Sequence, residues 1–189
     1  GGRATLRVVD PRGEVRVEVE RIEHEPPGRP AWMLCGAPEG ERGDWLIEKL
    51  AELGISRFVP VETARGAWRR AAGRRERWER LAVAALRQSR RLHRMEIVEP
   101  LPLEQALGGL PAGGERWLAE AAGEWTAPPG RAADRAGIGL VGPSGGLDDE
   151  ERGRAIEAGF VPLRLSEARL RTETAALAWA AWWASGAPR

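Results

Sequence analysis

The order of apolar and polar positions divides the chain into two unequal parts. Residues 4–22, ATLRVVDPRGEVRVEVERI, alternate apolar and polar on both sides of Asp10-Pro11-Arg12-Gly13. That is the pattern of two strands joined by a turn, a β-hairpin. A hairpin alone does not make a stable domain, so this one either docks on the rest or is the remnant of a larger β domain. EHEPPGRP (23–30) reads as a stiff linker. From Ala31 onward short apolar runs alternate with helical periodicity. AWMLCGA (31–37) reads as a buried strand. Asp44 is placed to cap a helix in which Leu46, Leu50 and Leu53 share a face and Gly54 is the stop. ISRFVPV (55–61) is the next strand and residues 74–92 a long helix. MEIVEP (95–100) and RWLAE (116–120) read as strands, with a short helix over 103–108 between them. AGIGLVG (136–142) is a strand and 148–158 a helix, with Asp148 and Glu151 at capping-box spacing. FVPLRL (160–165) is a strand, and 173–185 a final helix with Thr172 as its N-cap. Residues 121–137 read as an exposed loop. Such alternation predicts an α/β fold with a mainly parallel sheet.

Composition narrows the class. At 189 residues the chain suits one domain with a small appendage, and 42% hydrophobic against 30% charged residues is a globular balance. No apolar run approaches the ~20 residues of a membrane span, and the first ten residues, GGRATLRVVD, carry no signal-peptide core. Cys35 is the only cysteine and His24 and His93 are the only histidines. This argues against an internal disulfide and a cysteine or histidine metal cluster, and fits a reducing cytoplasm.

Charge changes the picture more. The net charge is +1, yet residues 65–94 hold eleven arginines against Glu76 and Glu79. A local balance this basic implies an anionic partner. On a wheel of ~100° per residue, Trp78, Leu81, Ala82, Ala85, Leu86 and Leu92 share one side of the long helix. Arg80, Arg87, Arg91 and Arg94 share the other, with Gln88 and Ser89 beside them. The stripe is either a solvated face or a phosphate-binding face. Nucleic acid would relieve the mutual repulsion of clustered guanidiniums.

The glycines of IGLVGPSGGLDDEE (138–151) pose a separate question. Gly137-Ile138-Gly139-Leu140-Val141-Gly142 matches G-x-G-x-x-G. A dinucleotide fingerprint, however, follows a strand and opens a helix, whereas here the first two glycines lie within the strand itself. No Gly-Lys-Ser/Thr exists for a phosphate loop. What remains is a strand ending in Gly142-Pro143-Ser144-Gly145-Gly146, either a tight strand–helix connection or a ligand loop. In the last helix Trp179, Trp182 and Trp183 form a broad apolar face that suits core packing or, our preferred reading, a subunit interface.

Taken in order, four segments resemble one family. They are IEKLAELGISRFVPVETARGAW, RWERLAVAALRQSRR, GLVGPSGGLDDEE and LRLSEARLRTETAALA. They are similar to the K-x-x-E-L-G, Q-S-x-R, G-P-E-G-G and L-R-x-E-T-A motifs of the RsmE-type uracil-N3 methyltransferases of small-subunit ribosomal RNA, members of the SPOUT superfamily. The resemblance covers nearly the whole chain. It implies an α/β fold with a deep C-terminal trefoil knot, a rare exception to unknotted chains. It also implies a PUA-like N-terminal domain, of which only the hairpin is recognisable. The expected organisation is a partial PUA-like β domain over 1–25, a linker over 26–30 and the methyltransferase domain over 31–189.

The resemblance implies S-adenosyl-L-methionine as cofactor, held by Val141, Gly142, Gly145, Gly146, Leu165, Ser166, Leu170 and Thr172. It implies 16S rRNA of the small ribosomal subunit as substrate and a homodimer built through the knot and the C-terminal helix. Arg65, Arg80, Arg87, Gln88, Arg91 and Arg94 are then the expected RNA contacts. N3 methylation needs no cysteine nucleophile. It needs the N3 proton removed and the resulting charge stabilised. Arg91 and Arg171 are candidates for stabilising it, by motif position. Glu173 is a candidate base that could equally cap or pair at its helix start. The chain departs from the motifs at Ser144, where the family has glutamate, and at Ser166, where it has glycine. These departures motivate an alternative, a non-catalytic RNA-binding or ribosome-assembly protein on the same scaffold.

Overall fold

The computed structural model describes residues 2–10, 16–68, 73–126 and 135–186. The hairpin turn at 11–15, Arg69 and Arg70 of the basic segment, and residues 127–134 of the expected 121–137 loop lie outside the described residues.

The hairpin is present as β1 (Gly2–Asp10) and β2 (Arg16–His24), paired antiparallel in a two-stranded sheet of their own. Leu6, Val19 and Ile22 are exposed on it.

The rest is a three-layer α/β unit. In chain order its elements are β3 (Ala31–Cys35), α1 (Gly43–Leu53), β4 (Arg57–Glu62), α2 (Arg75–Gln88), β5 (Glu96–Ile97) and β6 (Leu101–Pro102). Then follow α3 (Leu103–Gly108), β7 (Glu115–Glu124), β8 (Gly137–Val141), α4 (Asp149–Glu157), β9 (Val161–Leu163) and α5 (Thr172–Ser185). The strands run β5-β4-β3-β8-β7-β9 with β6 beside β4, and every pairing among them is parallel. The α/β expectation with a mainly parallel sheet holds.

Alternation along each strand assigns the two faces. Met33 and Cys35 of β3 join the core under α1, α2 and α5, whereas Leu34 joins the core under α3 and α4. On β8, Ile138 and Leu140 face α3 and α4. Gly137 and Gly139 face α5, and there the tryptophans take the space. A Cβ at Gly139 would lie 2.5 Å from the Trp179 ring, and one at Gly137 2.1 Å from the Trp183 ring. The G-x-G of this strand is therefore a seat for two indoles.

Several expectations need correction. The tryptophan face is mostly internal: Trp179 is fully buried, Trp183 nearly so, and Trp182 packs edge-on against Trp117 with its indole N–H donating to Thr126 O at 3.0 Å. It therefore gives no argument for a subunit interface. α2 stops at Gln88 rather than 92, because the Ser89 hydroxyl donates back to Ala85 O at 2.7 Å and Arg90 turns to φ 56°. Asp44 is not the N-cap of α1. It lies in the first turn and accepts from Arg77 Nε at 2.6 Å and Trp78 Nε1 at 2.9 Å, tying α2 to α1. Thr172 is the first residue of α5 and not its cap, since its hydroxyl is used elsewhere. β7 runs on to Glu124, into the expected loop, because Glu124 pairs with Leu163. By contrast, Gly54 stops α1 in the left-handed conformation, and Asp148 and Glu151 form the capping box of α4. No described helix is long and apolar enough to cross a membrane.

Candidate active-site cleft

Three strands end side by side and their following segments enclose a cleft of about 600 Å3. Loop 142–148 follows β8, loop 164–171 follows β9, and residues 118–121 come from the end of the paired part of β7. Ligands of open α/β sheets sit at such carboxyl ends. The volume falls within the range of small-molecule sites.

The two loops are locked to each other and to the scaffold. The Thr172 hydroxyl donates to Gly142 O at 3.1 Å, joining the loops directly. Glu151 of the capping box reaches further: its Oε1 accepts from Ala64 N at 2.7 Å, so α4 also holds the turn after β4. Gly146, at φ 74°, turns the first loop through a conformation that other residues rarely adopt.

Of the expected cofactor residues, Val141, Gly142, Gly146, Leu165, Ser166, Leu170 and Thr172 line the cleft. Gly145 does not. It is turned away, and its carbonyl accepts from Arg65 Nη1 at 3.3 Å. Ser166 has no need of glycine's freedom: among the described residues only Arg90 combines a side chain with positive φ. The Ser166 hydroxyl instead accepts from Ala168 N at 3.2 Å and shapes the turn. Ser144 is exposed at the rim, and its carbonyl accepts from Arg169 at 3.4 Å.

The expected catalytic residues separate. Arg171 and Glu173 line the cleft, whereas Arg91 does not. Arg91 Nε donates to Glu52 O at 2.8 Å and its guanidinium lies over Gly54, so that a Cβ there would meet it at 2.1 Å. In this chain it closes the C-terminal end of α1, where a cation is favoured. Glu173, only 2% exposed, is bound by Arg42 from the start of α1, which ties up the carboxylate as an ion pair rather than leaving it free as a base. Arg171 is exposed at the mouth, 3.8 Å from Glu39.

Sequence reasoning missed Leu118, Ala119, Glu120 and Ala121, and also Glu39 and Arg152. Only the strand order brings β7 beside the glycine loop, and no local motif signals it. Cys35 lies in the core below the cleft, where burial, with Glu173 nearby, pushes its thiol far above the usual range. It is an inert core residue.

The basic segment forms a second surface. Arg80, Arg87 and Arg94 line a shallow groove with Glu76, Glu79, Val83 and Ala84. The stripe is not as unpaired as its composition implies. Arg75 pairs with Glu79 at 3.0 Å, Arg77 with Asp44 at 2.6 Å, and Arg80 lies 4.0 Å from Glu76. Among the described residues no carboxylate pairs with Arg87 or Arg94. Gln88 is exposed next to Arg87.

Residues 25–184 match the family described as RNA methyltransferase domain. The chain belongs to this family. Within it, the RsmE-type resemblance holds. The Ribosomal RNA small subunit methyltransferase E of Bacillus subtilis is 30% identical over 162 residues, 77% of this chain and 62% of that protein. The protein of the same name from Aquifex aeolicus is 31% identical over 135 residues, 70% of this chain and 58% of its own length. This chain thus spans roughly three fifths of those two relatives' length. Among solved structures, the same enzyme of Neisseria gonorrhoeae, bound to S-adenosyl methionine, superposes with TM-score 0.77 at 29% identity, over 94% of this chain and 75% of that one. A putative methyltransferase of Legionella pneumophila in complex with SAM gives TM-score 0.75 at 26% identity, over 97% and 78%.

Proposed function

We propose that this methyltransferase-family chain transfers a methyl group from S-adenosylmethionine to N3 of a uridine in small-subunit ribosomal RNA. The observation that carries the reading is the cleft itself. Two interlocked loops and the end of β7 enclose it, and seven of the eight expected cofactor positions line it. The fit to the cofactor is good on chemical grounds as well. The walls offer backbone groups, apolar Leu118, Leu165 and Leu170, and Glu120, whose buried Oε2 has no partner among the described residues.

The bound cofactor would supply an electrophilic methyl on a sulfonium. The chain's own residues then have to place the uracil edge in line with it. Arg171, which lines the cleft at its mouth, would stabilise the charge that spreads to the uracil carbonyls when N3 loses its proton. Glu173, held by Arg42, orders the start of α5 beneath it. The groove of Arg80, Arg87 and Arg94 would hold the RNA backbone, and Arg65 stays with the loop it braces. The target base would be unstacked to reach the cleft.

The same proposal includes the domain division at 25 and 30, supported by a family match that starts at residue 25. It includes the trefoil knot. After β9 at the sheet edge the chain returns as α5 to pack beneath β8 and β3, and Thr172 is bonded to the loop it passes. It also includes a homodimer and a cytoplasmic site of action.

Labelled S-adenosylmethionine incubated with small-subunit RNA and this protein is expected to yield 3-methyluridine. RNA binding with no 3-methyluridine under any condition would leave the non-catalytic alternative in its place.

A further inference from the structure

β7 keeps parallel register with β8 through Leu118 and with β9 through Ala119. Glu120 is the next residue, and pairing resumes only at Glu124 opposite Leu163. Glu120 therefore stands at the carboxyl edge of the ladder, where it lines the cleft. Its Oε1 accepts from Arg152 Nε of α4 at 2.7 Å. Its Oε2 is buried and finds no donor among the described residues. A buried carboxylate oxygen left unpaired is costly, and the side chain that carries it lines the space a ligand would fill.

We propose that Glu120 holds the ribose of S-adenosylmethionine, with Oε2 accepting a hydrogen bond from one ribose hydroxyl. The assignment rests on the reading above that the cleft binds this cofactor. The choice of a hydroxyl over the cofactor's ammonium follows from charge. Arg152 already matches the Glu120 carboxylate, and Arg152 itself lines the cleft. A second cation brought to the same carboxylate would be repelled by that guanidinium. A neutral hydroxyl completes the free lone pair without that penalty, and a carboxylate is acceptor-only, which suits a diol. Glu173 is not available for the task, being bound by Arg42.

The test is calorimetric binding of S-adenosylhomocysteine and its 2′-deoxy and 3′-deoxy forms, with thermal melts to confirm that each variant is folded. The wild-type protein is expected to bind S-adenosylhomocysteine and to lose about tenfold or more toward the form lacking the contacted hydroxyl. Glu120→Ala should lose a similar factor toward S-adenosylhomocysteine and nothing further toward that deoxy form. Glu120→Gln, of equal size and still an acceptor, should fall between. Arg152→Ala, which leaves the acceptor in place, should keep the discrimination. If wild type and Glu120→Ala discriminate against both deoxy forms by the same factor, the proposal is overturned. It is also overturned if an analogue lacking the amino group is the one whose loss disappears in Glu120→Ala. If wild type binds none of these ligands, the cofactor reading itself falls, a pattern distinct from either.

Discussion

The cleft at the ends of β7, β8 and β9 and the groove along α2 are shaped by different parts of the chain. Interlocked loops shape the cleft: a glycine at positive φ, the Thr172 hydroxyl tied to the opposite loop's carbonyl, and a capping box that also holds a neighbouring turn. Ser144 at its lip contributes its backbone carbonyl to that frame and leaves its side chain exposed. The groove is a row of long side chains on an ordinary helix, and its backbone is already satisfied. The cleft should therefore be sensitive to volume changes well below it and tolerant of side-chain changes at its lip. The groove should show the reverse.

The largest effect is expected beneath the cleft. Gly139→Ala places a methyl 2.5 Å from the buried Trp179 ring. Overpacking of this kind costs about 3 kcal/mol, which lowers Tm by roughly 6–12 °C in a chain of this size. Differential scanning calorimetry reads it directly, and an unchanged Tm would break the contrast between the two regions.

Next is the pH response of the same core. Cys35 has a raised pKa in the folded state because it is buried. The folded thiol thus keeps its proton where the unfolded thiol loses it, above pH ~8.5. The unfolded state then binds fewer protons, so stability must fall as pH rises, by about 1.4 kcal/mol per unit above that point. The chain has no tyrosine and one lysine, which leaves few other groups to titrate there. Urea unfolding at stepped pH should show this slope in the wild type and a shallower one in Cys35→Ala.

A smaller effect, confined to RNA, is expected in the groove. Arg87→Ala should reduce the slope of log affinity against log salt by about one, the signature of one lost phosphate contact. Cofactor binding should be unchanged. A variant that lowered both would mean that the two surfaces are not separate. The smallest effect is expected at the lip of the cleft. Ser144→Ala should change stability by no more than about 0.5 kcal/mol and cofactor affinity by roughly twofold or less.

How much of this was legible in the sequence depended on range. Local stop signals were readable because their physics is local: Gly54 ends α1, and Asp148 with Glu151 begins α4. The parallel α/β class followed from alternation. The glycine loop was correctly separated from a dinucleotide fingerprint, because its first glycines lie inside a strand. What makes them glycines was not legible, since Trp179 and Trp183 lie some forty residues further on. The same holds for Asp44, whose partners are on another helix, and for Thr172, whose hydroxyl is claimed by Gly142. Glu120 escaped notice because only strand order brings β7 beside the two loops. Arg91 was misplaced because its motif position specifies a neighbourhood, while its Nε bonds to the end of α1.

Trp179 and Trp183 are stacked with ring centroids 5.8 Å apart and planes 8° from parallel, seated on the strand whose end forms the cleft. Without tyrosine, the chain's near-ultraviolet absorption is almost entirely indole. Two parallel indoles at this separation couple their transitions, and their exciton signal depends on a rigid mutual geometry. The pair is thus a native spectroscopic reporter of the core packed between α5 and β8. Circular dichroism of the indoles, compared with that of Trp183→Phe, can follow the packing of that core without a label.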